Sequence, residues 1–524
     1  MANLYSLFRT KFLAIGLICG LAIPYRMASC SEPQPLLTQV VGMYVHQHWP
    51  YKHPYAARTW TLDDWRGYAD GLKKLGFNTI MIWPMLETMP NPLTPSDRAS
   101  LEKHRQVIDI LHHEFGMRVL IVLSANVAAN KAAENATFET RHFYLTDVLV
   151  NPADHAAVDA MMRWREHLFA YLKAADGLAI IDSDPGGFPG SSNAEFVSLL
   201  EQHRRMLDRL RPGIELDYWV HMSWHAWSQF DATGILERGK EADYLDTLSR
   251  LKTVDPKPWG LANGLPYARK LGLASRVISF NYGRIEAEPS LPMTNFGGTA
   301  AYDGGSDPGP RGVMGNAQTH CDQLPNTFAF ARGALRRPVT DADYVQFGNR
   351  LIEGQGHLIV DSWKALAGTN PELMRAQVKR IQQVRGQNLR PGDLKGLLFG
   401  SPERFLDDLV LQLQLRAAYE EFAKATNGVG NVKTALSAFV AAAQAWDNQT
   451  GYQGHWSWPG LYDALGKLHS PTIDKVLKVN ICLFRCTDNA HPSGYKDVET
   501  YFANQETFTP RLIAAMKETL SQMR

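Results

Sequence analysis

The chain has 524 residues, a formal net charge of +1 and a hydrophobic content of 45%. This near-neutral balance, without a basic run, argues against a nucleic-acid partner. The length suits two domains better than one and leaves ample material for a core.

The first 30 residues predict an export signal, which we exclude from the fold. Arg9 and Lys11 precede the apolar run Phe12–Ile23, which is long enough for a signal peptide and too short to span a bilayer. Met27-Ala28-Ser29-Cys30 follows and resembles a bacterial lipoprotein cleavage site. Lipidation at Cys30, which would anchor the protein to a membrane, and ordinary cleavage nearby both stay open. Either predicts an exported protein: periplasmic, surface-bound or extracellular.

Between residues 40 and 337, short apolar runs alternate with longer amphipathic runs, as in strands joined by helices. The predicted strands are Val41–Val45, Thr79–Met85, Arg118–Leu123, Leu178–Ile181, Leu216–Val220, Trp259–Ala262, Val277–Asn281 and Gly312–Met314. The helix patterns include Leu62–Leu75, Ser96–Phe115, Asp154–Ala174 and Ala194–Leu210. This alternation predicts an α/β fold, a (β/α)8 TIM-type barrel over residues 40–337. A doubly wound open sheet is the alternative, although no Gly-rich loop follows the first strand.

The strand pattern stops at about residue 338. Helix-period leucines and alanines then predict the helices Asp341–Leu366, Pro371–Arg385, Pro402–Thr426 and Val432–Trp446. We therefore expect residues 338–524 to form a C-terminal α-helical domain. The aromatic stretch Tyr452–Trp458 within it is interpreted as packing, with a lid over the barrel as the alternative.

In a barrel of this kind, function lies at the carboxyl ends of the strands. The residues that follow the predicted strands mix hydrogen-bonding groups with tryptophans. That mixture suits a sugar, whose hydroxyls need donors and acceptors and whose C–H face stacks on an aromatic ring. The predicted substrate-binding residues are His46, His48, Trp83, Asn126, His221, Trp224, Asn281, Tyr282, Asn316 and Gln318.

The sharpest motif is Asp182-Ser183-Asp184, directly after the fourth strand. Residues i and i+2 of a strand point the same way, so both carboxylates are expected to face one pocket. Like charges held close raise the pKa of one group, which then donates a proton near neutral pH. Glycosidic cleavage needs such an acid beside a second carboxylate. Asp-Pro-Gly-Gly is also ordinary turn chemistry, which is the structural alternative.

A barrel with an acidic pair after strand four and a helical domain behind it resembles the hexosaminidase-like glycoside hydrolases of families 20 and 84. It is more loosely similar to α-glucuronidase-type barrels. The resemblance implies that Asp184 is the general acid and that Asp182 orients the reacting group. In those enzymes the two acidic residues are usually adjacent, whereas Ser183 separates them here. Glu87, just beyond strand two, is a third candidate, as base or nucleophile.

We therefore expect an exported glycoside hydrolase that cleaves a poly- or oligosaccharide without metal or cofactor. Two alternatives stay open. His46-x-His48 with His221 resembles the metal-binding pattern of the amidohydrolases, because imidazole suits zinc. A surface glycan-binding protein without catalysis is the other.

Overall fold

The computed structural model describes residues 39–143, 146–183, 185–188, 190–225, 240–254, 259–281, 309–317, 320–451, 460–478 and 507–523. The predicted export signal with Cys30 lies outside these residues. So do Asp184, Tyr282, Gln318 and the stretch Tyr452–Trp458.

Eight parallel strands close into a barrel. They are β1 (Val40–Val45), β2 (Thr79–Ile82), β3 (Arg118–Ser124), β6 (Gly177–Ile181), β7 (Glu215–Trp219), β8 (Trp259–Ala262), β9 (Val277–Asn281) and β10 (Gly312–Ala317). Around the barrel they follow the order β1-β10-β9-β8-β7-β6-β3-β2. The closed barrel confirms the predicted fold class, and the open-sheet alternative is wrong. The sequence pattern did not predict β4 (Val127–Ala129) and β5 (Asp147–Leu149), an antiparallel pair inserted after β3.

Helices connect the strands and then continue beyond the barrel. Those of the barrel region are α1 (Leu62–Leu75), α2 (Pro95–His113), α3 (His155–Leu172), α4 (Asn193–Leu210), α5 (Glu241–Thr253), α6 (Leu265–Lys270) and α7 (Leu324–Ala334). The later ones are α8 (Asp341–Leu351), α9 (Gly356–Ala367), α10 (Pro371–Val384), α11 (Pro402–Thr426), α12 (Val432–Thr450), α13 (Leu461–Gly466), α14 (Pro471–Lys478) and α15 (Phe508–Gln522). Among the described residues, no helix has the length and apolar character needed to cross a membrane.

Local sequence fixes where several of these helices begin. Thr61 caps α1 and Ser192 caps α4, each in a capping box with the acidic residue three positions later. A capping box satisfies backbone N–H groups of the first turn that otherwise lack a partner. These caps therefore set the first residue of each helix.

The expected helix Asp341–Leu366 is two helices, α8 and α9. Gly354 adopts a φ of 74°, which L side chains rarely adopt, and this ends the helical run. Glu353 N–H donates to the Arg390 carbonyl instead of continuing the helix. Buried positions recur three or four residues apart on both sides of the break, so periodicity alone did not reveal it.

The helical region packs on the barrel through both close backbone contact and buried polar groups. A Cβ on Gly396 would collide with the Gly67 backbone of α1, so the two segments touch without side chains between them. The Tyr55 hydroxyl donates to Asp408 of α11, and Gln412 donates to Asp322 at 3.2 Å. These contacts unite residues from Gln39 onward in one unit, and the domain boundary at residue 337 stays a prediction.

Candidate active site at the mouth of the barrel

Aromatic rings from distant strands meet inside the barrel at its carboxyl end, which we call the mouth. Trp219 of β7 stacks on Phe280 of β9 with ring centroids 4.3 Å apart. The Tyr44 ring of β1 meets Trp219 edge-on at 5.1 Å, and Trp83, just after β2, lies 6.3 Å from Trp219. Because β1 and β7 are not neighbours in the sheet, these rings meet through the interior. They form an aromatic base on which the C–H face of a sugar can stack.

His46 and His48, both buried, stand beside this base. Their rings are 4.0 Å apart, and the His48 ring lies 4.2 Å from Trp83. Burial, and then the charge of Arg58, lowers the pKa of His46 well below its usual value. Burial, and then the charge of His46, likewise lowers the pKa of His48 well below its usual value. Both rings are therefore neutral at neutral pH. Among the described residues, no three His, Cys, Asp or Glu side chains cluster as a metal site requires.

Glu87 reaches the mouth from a single helical turn, Leu86–Thr88, that follows β2. Its Oε1 accepts hydrogen bonds from Trp83 Nε1 at 3.0 Å and from the Ser124 backbone N–H. Among the described residues, the buried Oε2 has no hydrogen-bond partner. Burial raises the pKa of Glu87, and the hydrogen bond from Ser124 and the charge of Arg165 oppose that rise.

These contacts decide where the proton of Glu87 sits. Oε1 is occupied by two donors, so a protonated Glu87 carries its hydrogen on Oε2. A carboxylic acid held by one oxygen, with its O–H facing no protein acceptor among the described residues, is arranged to donate a proton to a bound molecule. Two further buried oxygens at the mouth also have no hydrogen-bond partner within the described chain: Ser124 Oγ and Asn316 Oδ1. Buried polar atoms left unpaired at a strand end indicate a binding site.

Asp182 is held in a different way from the one the sequence predicts. Its Oδ2 accepts from the Tyr218 hydroxyl at 2.8 Å and the His221 N–H at 3.2 Å. Its Oδ1 accepts from the Ser183 hydroxyl at 2.9 Å and the Met222 N–H at 3.2 Å. Four donors use the four lone-pair positions of a carboxylate. Burial raises the pKa of Asp182 to about 6 although all four hydrogen bonds oppose that rise.

The register of the sheet explains the direction of Asp182. Ile181, the last residue of β6, pairs with Trp219, which faces the interior, so Asp182, the residue after it, faces the helices. Tyr218, which binds Asp182, indeed contacts the Phe196 ring of α4 at 5.1 Å. Asp182 therefore joins the ends of β6 and β7 and does not face the aromatic base. Asp184, its expected partner, lies outside the described residues.

Asn126, a predicted sugar ligand, instead fixes the loop after β6. Its amide donates to the Gly187 carbonyl at 2.8 Å, and its carbonyl accepts from the Gly187 N–H at 3.1 Å. The same amide also donates to the Val150 carbonyl. A Cβ on Gly186 would collide with the Asp182 backbone, so this tight turn requires glycine there. Gly187 is thus anchored to Asn126, two residues beyond the end of β3.

Of the other predicted ligands, one packs away from the aromatic base and the rest lie at the ends of the barrel strands. Trp224 stacks on Phe196 at 4.9 Å and donates to Ser191 Oγ at 2.8 Å, so it packs against α4 and away from the aromatic base. His221 lies 6.2 Å from the Trp219 ring, next to that base. Asn316 lies opposite Tyr44 in the register of β1 and β10. Asn281 ends β9.

No family model matches the chain, and no curated protein matches it in sequence. Solved structures with a similar fold include a mutant O-GlcNAc hydrolase from Thermobaculum terrenum, at 9% identity and a TM-score of 0.45, covering 93% of this chain and 94% of that one. A family 89 glycoside hydrolase from Clostridium perfringens matches at 9% identity and a TM-score of 0.48, and the match covers 93% of this chain and 64% of that one. A sialic acid aldolase from Aliivibrio salmonicida matches at 12% identity and a TM-score of 0.31, and the match covers 72% of this chain and 97% of that one. These likenesses concern the fold.

Three residues that shape the mouth were not predicted from the sequence: Ser124, Trp219 and Arg165. Ser124 shares the side of Leu120 and Val122 in β3, but Asn126 has the same parity, so the period of the strand does not separate the two. Trp219 lies within the predicted strand Leu216–Val220, whose apolar run does not show which side its rings face. Arg165 lies in the middle of α3, where no local pattern separates a buried arginine from a surface one.

Proposed function

We propose that the protein is a glycoside hydrolase whose mouth protonates a glycosidic oxygen through Glu87. The observation that carries this proposal is the buried carboxyl of Glu87, held through Oε1 and unpartnered at Oε2 within the described chain. Its raised pKa keeps the group protonated above the range of an ordinary glutamic acid. The aromatic base beside it suits the C–H face of a sugar.

The remaining roles follow from what each side chain can reach. The resemblance implies that Asp184 is the general acid, whereas with Glu87 as the acid we propose Asp184 as the second carboxylate. It removes a proton from an attacking water, attacks the anomeric carbon itself, or orients a substrate group that attacks it. Asp182 is a positioning residue, because its four hydrogen bonds leave no lone pair for substrate. Ser124 and Asn316 are proposed to bind sugar hydroxyls.

The test is hydrolysis of a chromogenic glycoside panel that spans N-acetylglucosaminide, N-acetylgalactosaminide, glucuronide, galactoside and fucoside. Wild type, E87Q and D184N are compared, each with and without a chelator. We expect one glycoside to be cleaved, with activity that survives chelation and collapses in both variants. Activity abolished by chelator would favour the metal hydrolase and the histidines His46 and His48. No cleavage, together with binding on a glycan array, would favour a glycan-binding protein.

Export is proposed from residues 1–30 alone. The mature protein is expected to begin at or near Cys30, with or without a lipid on that cysteine. Mass spectrometry of the mature amino terminus separates these outcomes. A mature protein that retains the run Phe12–Ile23 would overturn the proposal.

A further inference from the structure

A buried arginine lies behind the segment that holds Glu87. Arg165 projects from α3 and is 2% exposed. Its guanidinium donates to the Ala125 carbonyl at 2.9 Å and to the Val127 carbonyl at 2.7 Å. Ser124 immediately precedes Ala125, and its backbone N–H donates to Glu87. Arg165 therefore holds the chain immediately beyond the point where Glu87 is anchored.

His203 of α4 fixes Arg165 from the other side. Arg165 donates to His203 Nε2 at 2.7 Å, and His203 Nδ1 lies 2.7 Å from the Leu199 carbonyl. Only a protonated Nδ1 can bond to a carbonyl, so Nε2 carries the lone pair that Arg165 needs. Burial, and then the charge of Arg165, lowers the pKa of His203 to about 3 and keeps the ring neutral.

The charge of Arg165 is consequently directed at one group. Its hydrogen bonds all go to neutral acceptors: two carbonyls and a neutral imidazole. Burial lowers the pKa of Arg165 to about 10, and Glu87 is the charge that opposes this fall. A buried cation that interacts electrostatically with a buried carboxyl favours the ionised form of that carboxyl.

We propose that Arg165 is a positioning residue for the reaction, which acts through Glu87 by bracing the 124–127 segment and placing a positive charge behind the carboxyl. This inference rests on the proposed role of Glu87. Arg165 limits how tightly Glu87 keeps its proton, so the acid can both donate the proton and take one back. His203 serves Arg165 and contributes no charge of its own.

The experiment compares the full chain as wild type, R165Q, R165K and H203L. The pH dependence of kcat/KM is measured together with the carboxylic-acid band of Glu87 in infrared difference spectra, assigned with E87Q. R165Q removes the positive charge, which raises the pKa of Glu87. The alkaline limb of the kcat/KM profile and the midpoint at which the infrared band titrates are both expected to move upward by about one pH unit. R165K and H203L keep the positive charge, so their limb and band stay near the wild-type position even where folding is weakened. If R165Q fails to fold, R165M/H203L, which makes the whole pair apolar, takes its place.

Two results would overturn the inference: a band and limb unmoved in the neutral variant, or an equal movement in R165K. The band needs no substrate, so the two proposals fail separately. A band that moves in a protein without glycosidase activity keeps the electrostatic coupling of Arg165 to Glu87 and removes the proposed function. Activity that depends on Glu87, with an unmoved band, does the opposite.

Discussion

At the amino-terminal end of the barrel, buried acidic groups bond directly to a cation, whereas at the mouth Glu87 interacts with the charge of Arg165 without a direct hydrogen bond among the described residues. Arg311 donates to Asp217 at 3.0 Å and also binds Glu215, which in turn binds Arg118 at 3.0 Å. At the mouth, Glu87 accepts hydrogen bonds only from neutral donors within the described chain. A direct ion pair offsets part of the cost of burying an acidic group. A buried acid without such a pair costs stability, and a reaction can use it.

The largest expected effect is that of E87Q at the mouth. The glutamine side chain in this variant can still accept from Trp83 and Ser124, but it has no acidic proton to donate, so kcat is expected to fall by about 10²–10⁴-fold. The protein should fold with a modest fall in thermal midpoint, because the buried Arg165 loses the opposing charge of Glu87 and the new amide N–H2 has no acceptor among the described residues. Steady-state kinetics and calorimetry on the same preparation measure both. Loss of activity through unfolding would contradict the contrast between the two ends.

R311M at the amino-terminal end should lower stability and leave activity unchanged, the reverse of E87Q. It leaves Glu215 and Asp217 without their shared cation, so unfolding free energy is expected to fall by about 3–5 kcal/mol. Folded enzyme should keep its activity, since Arg311 is at the opposite end from Glu87. Denaturant unfolding measures the loss, and R311K, which keeps the charge, is the matched control. A folded R311M without activity would show that the two ends are coupled.

D182N should lower activity less than E87Q does and stability less than R311M does. An asparagine presents one acceptor oxygen and one amide donor, so two of the four donors around position 182 lose their acceptor. Removing such partners costs about 1–3 kcal/mol of stability. Activity should decrease less than in E87Q, through movement of the loop after β6. A collapse of activity as large as that of E87Q, at full stability, would make Asp182 itself catalytic.

The smallest expected effect on activity is that of D217N, which should change the pH dependence of stability instead. Burial, and then the charge of Glu215, raises the pKa of Asp217 from 3.8 to about 8. The folded chain therefore keeps a proton that the unfolded chain releases, and this contribution to stability is lost as pH rises from about 4 to about 8. D217N removes the titrating group and should flatten that slope. Thermal midpoints at several pH values compare the two proteins, and parallel curves would refute the assignment.

The fold was largely predictable because each barrel strand is a short apolar run ended by polar residues. All eight were located from that pattern, and α1 has the predicted bounds. The direction of Asp182 was not predictable in the same way. The period of a strand shows that positions 182 and 184 share a side, whereas the register with Trp219 decides which side. Arg165 and His203 act through contacts between two helices, and no local pattern encodes such a contact.

The most direct test of the central claim is the pH profile of kcat/KM for a hydrolysed glycoside, measured for wild type and E87Q. A group whose pKa is raised stays protonated to higher pH. The account therefore predicts an alkaline limb above 4.5, the ordinary pKa of a glutamic acid. It also predicts that E87Q loses both that limb and most of the activity. An E87Q profile with wild-type rates and an unchanged limb would contradict the claim that Glu87 is the acid.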